Sequence, residues 1–242
     1  GEPFKTDIIG FIYMVISGIL TALFSYFFFA GLAHGEAGYG GTMVTSLVPL
    51  ITYFLSIIIF GTKVSKIQII ALCIGILGAI ILLHIPTNGL DFLNVNSSYF
   101  LASAFVWSLV TIITQKVSHR VKPMFYTVVV FFVTGLVNMI FALPYHPFAI
   151  TNYDLIFWLN ILFVGLLSGT FATAIFFISA SKIGAHNTGV FMFIVPIGAI
   201  VSSMFAYDEQ IELSTIIGCG LSFLAVLLFN IKSLRKKKTV VI

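Results

Sequence analysis

Charge is scarce in this chain. Twelve Lys and Arg and eight Asp and Glu make up 8% of its 242 residues, where a soluble domain carries about 25%, and that shortage excludes a water-soluble globule. The charge that exists avoids the middle of every apolar run. Holding a phosphate or nucleotide sugar inside a membrane calls for buried cations, and intramembrane acids are the usual proton relays, so a phosphorylated cargo is not expected. Cysteine is nearly absent. Cys73 and Cys219 both fall within apolar runs, where a thiol is a small packing group rather than half of a disulfide or metal site. His84, His119, His146 and His186 show no metal-ligand spacing, and no cofactor or metal site is expected. An intramembrane enzyme needs a nucleophile converging with a base. Asp208, Glu209 and Glu212 cluster without a nearby His or Cys, so they read as solvated and the chain as no enzyme.

Apolar sequence is abundant: 60% of residues, with a mean hydropathy of +1.13. A membrane helix needs about 20 mainly apolar residues, and backbone facing lipid must satisfy its own polar groups, so the spans are helices. Eight are expected, at 8–31, 38–60, 67–85, 99–115, 124–143, 155–180, 189–206 and 213–231. Counting alternate ends, all twelve basic residues fall on one side, from Lys5 through Lys63, Lys66, Lys116, Arg120, Lys122 and Lys182 to the tail Lys232–Lys238. Basic short loops stay cytoplasmic, so both ends of this chain are expected there, in a bacterial inner membrane. The net charge of +4 comes from the tail, which is read as an anchor for anionic lipid headgroups rather than a nucleic-acid surface.

The chain also repeats itself. An offset of 147 residues lays Pro49 on Pro196, Ser56 on Ser203, Val64 on Ile211 and Ile70 on Ile217. The first three spans thereby match the last three. Five spans separate the copies, an odd number, so they cross in opposite senses: an inverted repeat. The longer loop of the first copy is expected at 34–41, and His34 and Glu36 there are candidates for a protonatable gate. Two helices open the second copy, so two more are expected before Gly1, for ten in all. The expected divisions are 1–85, the end of a first repeat; 95–231, a complete second repeat; and 232–242, a basic tail. Inverted repeats can open one central site to alternate sides, which makes transport the expected function.

Polar residues recur along single helix faces. Thr42, Thr45, Pro49, Thr52, Tyr53 and Ser56 follow a three-and-four spacing, as do Ser17, Thr21 and Ser25; Trp107, Ser108, Thr111 and Gln115; and Gly165, Gly169 and Thr173. Such stripes either permit close helix packing or line a cavity. The expected substrate-lining set is Thr21, Ser25, Thr45, Ser46, Pro49, Trp107, Thr111, Thr173, Phe193 and Pro196. Asn138 is read as a helix-to-helix hydrogen bond. Pro49 and Pro196 each remove one helical hydrogen bond near mid-span, at equivalent places in the two copies.

Tyr26 to Ala33, Thr45 to Leu50 and Gly61 to Leu83 resemble the closing three helices of an EamA-type repeat of the drug/metabolite transporter superfamily. Ala102-Ser103-Ala104-Phe105-Val106-Trp107-Ser108 through Gln115-Lys116 resembles the helix that opens one. Gly61-Thr62 departs from the family's usual Gly-Glu turn, whereas the second copy keeps Glu209. The resemblance implies ten helices, both termini inside and transport of small metabolites, often export. With no buried charge, the expected cargo is a small neutral or zwitterionic, amino-acid-like molecule moved by alternating access. The alternative is a non-transporting membrane subunit or assembly factor. Besides substrate and lipid, a homodimer is compatible with the sequence.

Overall fold

The computed structural model describes residues 6–34, 37–63, 65–82, 95–145, 153–198 and 213–238. They form helices α1 (Ile8–His34), α2 (Ala37–Phe60), α3 (Lys66–Leu82), α4 (Val95–Val117), α5 (Pro123–Ala142), α6 (Leu155–Phe163), α7 (Thr173–Ile183), α8 (Ala185–Val190) and α9 (Leu213–Lys238). A π-helical stretch, Val164–Ala172, joins α6 to α7 in one rod. A 3-10 turn, Phe191–Ile194, carries α8 on toward Gly198. No strand occurs among the described residues. Five of these rods are long and apolar enough to cross a membrane, and three shorter ones, Lys66–Ile81, Ala185–Gly198 and Ile216–Phe229, are apolar too. They lie where hydropathy places the eight spans, and the fold is an all-α membrane bundle.

Local chemistry sets the ends. The Asp7 carboxylate accepts the Gly10 N–H at 2.9 Å and caps α1; Asp154 accepts from Phe157 at 2.8 Å and caps α6. Pro123 opens α5, where its missing N–H costs nothing. Gly61 (φ +61°) follows α2 and Gly184 (φ +92°) separates α7 from α8, both in the left-handed region that glycine adopts without strain. Some boundaries differ from expectation. The expected loop at 34–41 is mostly helix, since α1 runs to His34 and α2 starts at Ala37. α9 passes 231 and reaches Lys238, so the basic tail continues the last helix for two turns. Residues 83–85 and 199–206 of the expected spans lie outside the described residues, as do Glu36, His84, His146, Asp208, Glu209 and Glu212.

The packing follows the inverted repeat. α2 packs on α8 and α3 on α9, each helix meeting its own equivalent from the other copy. α1 packs on α4 and α5. There the Thr134 hydroxyl donates to the Gly18 carbonyl at 3.0 Å, and a carbon added to Gly18 would meet Val133 at 2.5 Å. On the opposite flank a carbon on Gly78 would come within 2.9 Å of the Gly218 carbonyl. Small residues bring these backbones together, which is how helices gain contact where lipid offers no hydrophobic drive. Arg120, in the turn between α4 and α5, pairs with Asp7 and ties that turn to the start of α1.

Two buried cores result. The first joins α1, α2, α4, α5 and α7 through Met14, Val48, Phe100, Trp107, Tyr126 and Phe177. The second joins α2, α3, α8 and α9 through Tyr53, Ala71, Val190, Phe193, Val226 and Phe229.

Candidate functional site

Trp107 stands at the centre of the first core. Its ring is 8% exposed and lies 4.7 Å from Phe24 of α1, 5.5 Å from Phe176 and 6.0 Å from Phe177, both of α7. An indole N–H can only donate. Here Nε1 is buried and has no hydrogen-bond partner among the described residues. A buried donor left unmatched costs about 1–3 kcal/mol, so this is a strained donor inside an aromatic box.

The hydroxyls of the expected set are spent locally. Thr21 donates to Ser17 O at 2.8 Å, Ser25 to Thr21 O at 3.1 Å, Thr45 to Gly41 O at 2.9 Å and Thr111 to Trp107 O at 2.8 Å. A hydroxyl without water finds its nearest acceptor one turn back and keeps its lone pairs free. Ser108 reaches both Ala104 O at 2.8 Å and Val48 O at 3.4 Å, stitching α4 to α2 beside Pro49. Pro49 has no N–H to offer the Thr45 carbonyl. Both residues are buried, with Ser46 beside them.

The expected set therefore divides. Thr21, Thr45, Ser46, Pro49, Trp107 and Thr111 lie in or along the first core, and half-buried Thr173 is one turn before Phe177 on α7. Phe193 belongs to the second core, its ring so close to α3 that a carbon on Gly75 would meet it at 2.5 Å. Pro196 is buried a turn beyond it. Ser25 faces elsewhere again. It lines a cleft of about 560 Å³ between α1, α4 and α5, with Tyr26, Tyr99, Asn138 and Phe141, at the end of α1 remote from Arg120. Asn138, expected as a helix-to-helix bridge, lines this cleft.

Sequence reasoning passed over Phe24, Phe176 and Phe177. Two of them had a signal. Phe177 continues the four-residue spacing of Gly165, Gly169 and Thr173, and Phe24 follows Thr21 by three. It also noted His186 only as lacking metal-ligand spacing, whereas its imidazole is half-buried against the rings of Tyr53 at 6.0 Å and Phe229 at 6.4 Å. His34 closes α1, the far end of the molecule from that place.

Comparison with known proteins gives a consistent picture. The profile of the EamA-like transporter family matches residues 1–84 and 97–231. The uncharacterized transporter sll0355 of Synechocystis sp. is 27% identical over 225 residues, 86% of this chain and 67% of its own. The uncharacterized transporter YyaM of Bacillus subtilis is 23% identical over 229 residues, 92% of this chain and 73% of its own. A solved crystal structure superposes with a TM-score of 0.77 at 16% identity, covering 95% of this chain and 80% of that one, a likeness of fold.

Proposed function

Because the chain belongs to the EamA-like transporter family, a family of membrane transporters, we propose that it moves a small neutral or zwitterionic, amino-acid-like metabolite by alternating access, in the export direction. The observation that carries this reading is the unmatched indole N–H of Trp107 among Phe24, Phe176 and Phe177. Such a box accepts an apolar body and gives one hydrogen bond to an oxygen on it. Among the described residues no charged side chain is buried, which disfavours a phosphorylated cargo. Thr45, Ser46, Thr111 and Thr173 supply lone pairs around the box, while Pro49 and Pro196 loosen the helices that must move.

The basic side is the cytoplasm in this proposal, with the residues from Lys232 onward against anionic lipid. Both named relatives are bacterial, which supports a bacterial cytoplasmic membrane.

The functional test is exchange of labelled neutral amino acids across proteoliposomes. Trp107→Phe keeps a ring and deletes the donor, so saturable flux should fall about tenfold at low substrate, the loss of one hydrogen bond. Unchanged flux in that variant removes Trp107 from the site. No flux of any solute by a correctly inserted protein favours the non-transporting subunit instead.

A further inference from the structure

α2 packs against α8, and several buried polar groups on these two helices lack partners among the described residues. Among the described residues, six buried side-chain polar atoms have no hydrogen-bond partner, and four of them sit at this crossing: Thr52 Oγ1 and Ser56 Oγ on α2, His186 Nδ1 and Thr188 Oγ1 on α8. Thr52 and Ser56 are one turn apart and fully buried. The approach is close. A carbon added to Gly189 would stand 3.4 Å from Thr52 Cβ and 3.6 Å from its hydroxyl. The hydroxyls of Thr21, Thr45, Ser108, Thr111 and Thr114 all donate to a carbonyl one turn back. Of the four unpaired buried hydroxyls among the described residues, three lie on α2 and α8 and the fourth, Ser17, lies on α1.

His186 is held in place. The turn at Gly184 starts α8, and the Ala185 N–H donates to Gln115 Oε1 of α4 at 2.6 Å. The imidazole then packs between Tyr53 and Phe229, whose rings are 5.6 Å apart. The elements packed on α8 are α2, α4, α7 and α9. They bring Tyr53 from α2, Lys116 from α4, Lys182 from α7 and the basic run from Lys232 on α9, but no Asp or Glu. Lys116 is engaged elsewhere, over the Tyr13 ring at 5.6 Å, and Lys182 is exposed.

We propose that His186, with Thr52, Ser56 and Thr188, forms a proton-binding site that couples the opening of the α2–α8 crossing to the proton gradient. A neutral imidazole has one donor and one acceptor; an imidazolium donates from both nitrogens. With no carboxylate to pair with, a charged ring trapped in this packed crossing is disfavoured. Water must reach it, and the hydroxyls of Thr52, Ser56 and Thr188, which have no partner among the described residues, can share that water. Proton binding therefore favours the parted, hydrated arrangement, and loss of the proton favours the packed one, a shift of population set by differential affinity. The coupling to cargo rests on the transporter reading, whereas the proton site itself does not.

The test needs no substrate. In a background with Cys73 and Cys219 changed to Ala, Ser56→Cys is pulse-labelled with a charged maleimide in lipid nanodiscs at about pH 8 and about pH 5.5, either side of the free imidazole range. Rates are normalised to an exposed Lys63→Cys control, which removes the pH dependence of the thiol itself. Normalised labelling should rise about fivefold at the lower pH and stay flat when His186→Gln is added, with His186→Asn as the substitute if the Gln variant does not insert. A flat response with His186 present, or the same rise without it, overturns the proposal. Either result stands apart from the flux assay, so a dead transporter and an absent proton site remain distinguishable.

Discussion

The 147-residue offset lays α1 on the rod Leu155–Ile183, yet the two are built differently. α1 is regular for all of its 27 residues, and a third of its apolar window is buried. In Leu155–Ile183 only 6% of the corresponding window is buried, and nine residues in the middle of the rod are wound as π-helix. The second half of that same rod is ordinary. From Thr173 onward it meets α4, α5 and α8, is α-helical again and buries Phe177 and Ala180 completely. Packing alone does not set the winding, since α6 is regular α-helix with no buried residue. Glycine is a poor helix former, and nothing lies within 4 Å of a carbon added to Gly165. The Thr170 hydroxyl donates to the Gly165 carbonyl five residues back at 2.9 Å, the spacing of the wider coil. In α1 the glycine at position 18 is instead clamped by α5. The same class of residue closes a helix pair in one repeat and loosens a bare helix in the other.

The sharpest way to break this comparison is to truncate two phenylalanines six residues apart on one rod. Phe177→Ala empties a fully buried position and should cost about 3–5 kcal/mol, whereas Phe171→Ala, 63% exposed, should cost well under about 1 kcal/mol. Reversible unfolding in mixed micelles reads both, and equal losses would show that the two halves are not differently packed. Glycine substitutions sharpen the contrast at the next level. Gly18→Ala pushes a methyl into Val133 and should destabilise by about 1–3 kcal/mol. Gly165→Ala meets open space and should stabilise its helix by about 0.5–1 kcal/mol. Slower amide exchange through Val164–Ala172 in that variant would mark conversion to regular α-helix.

The smallest effect lies at the foot of α1. The Gly10 N–H, and after it the Arg120 guanidinium, hold the Asp7 carboxyl below its ordinary pKa of 3.8. A carboxyl lowered on folding contributes stability above its unfolded value and loses it as pH falls through the folded one. A slight weakening is therefore expected below about pH 4, and Asp7→Asn should abolish that acid dependence while lowering stability at neutral pH. Both side chains are more than 40% exposed, so the effect is confined to fraying at the first turn, read by exchange at Ile8–Gly10.

Much of the bundle was legible because hydropathy and helix length are linked one to one in lipid. The stripe on α2 points inward as its spacing implies: Thr45, Thr52, Tyr53 and Ser56 are all buried. The aromatic box was half legible. Trp107 stood out as a polar-tipped ring inside a stripe, but Phe24, Phe176 and Phe177 are three of 26 phenylalanines, and only packing tells which of them face it. His186 was passed over for a similar reason, since a lone histidine near a helix start carries no pattern.

Composition, apolar run length and charge scarcity were sufficient to make this chain a helical membrane protein, because a membrane admits so few backbone solutions. Tertiary structure alone decided which hydroxyls are spent on their own helix and which stay unpaired where α2 meets α8. It also decided that one of two equivalent helices winds regularly and the other does not. Those outcomes depend on what lies against each face, and a helix shows its neighbours only through the contacts it makes in three dimensions.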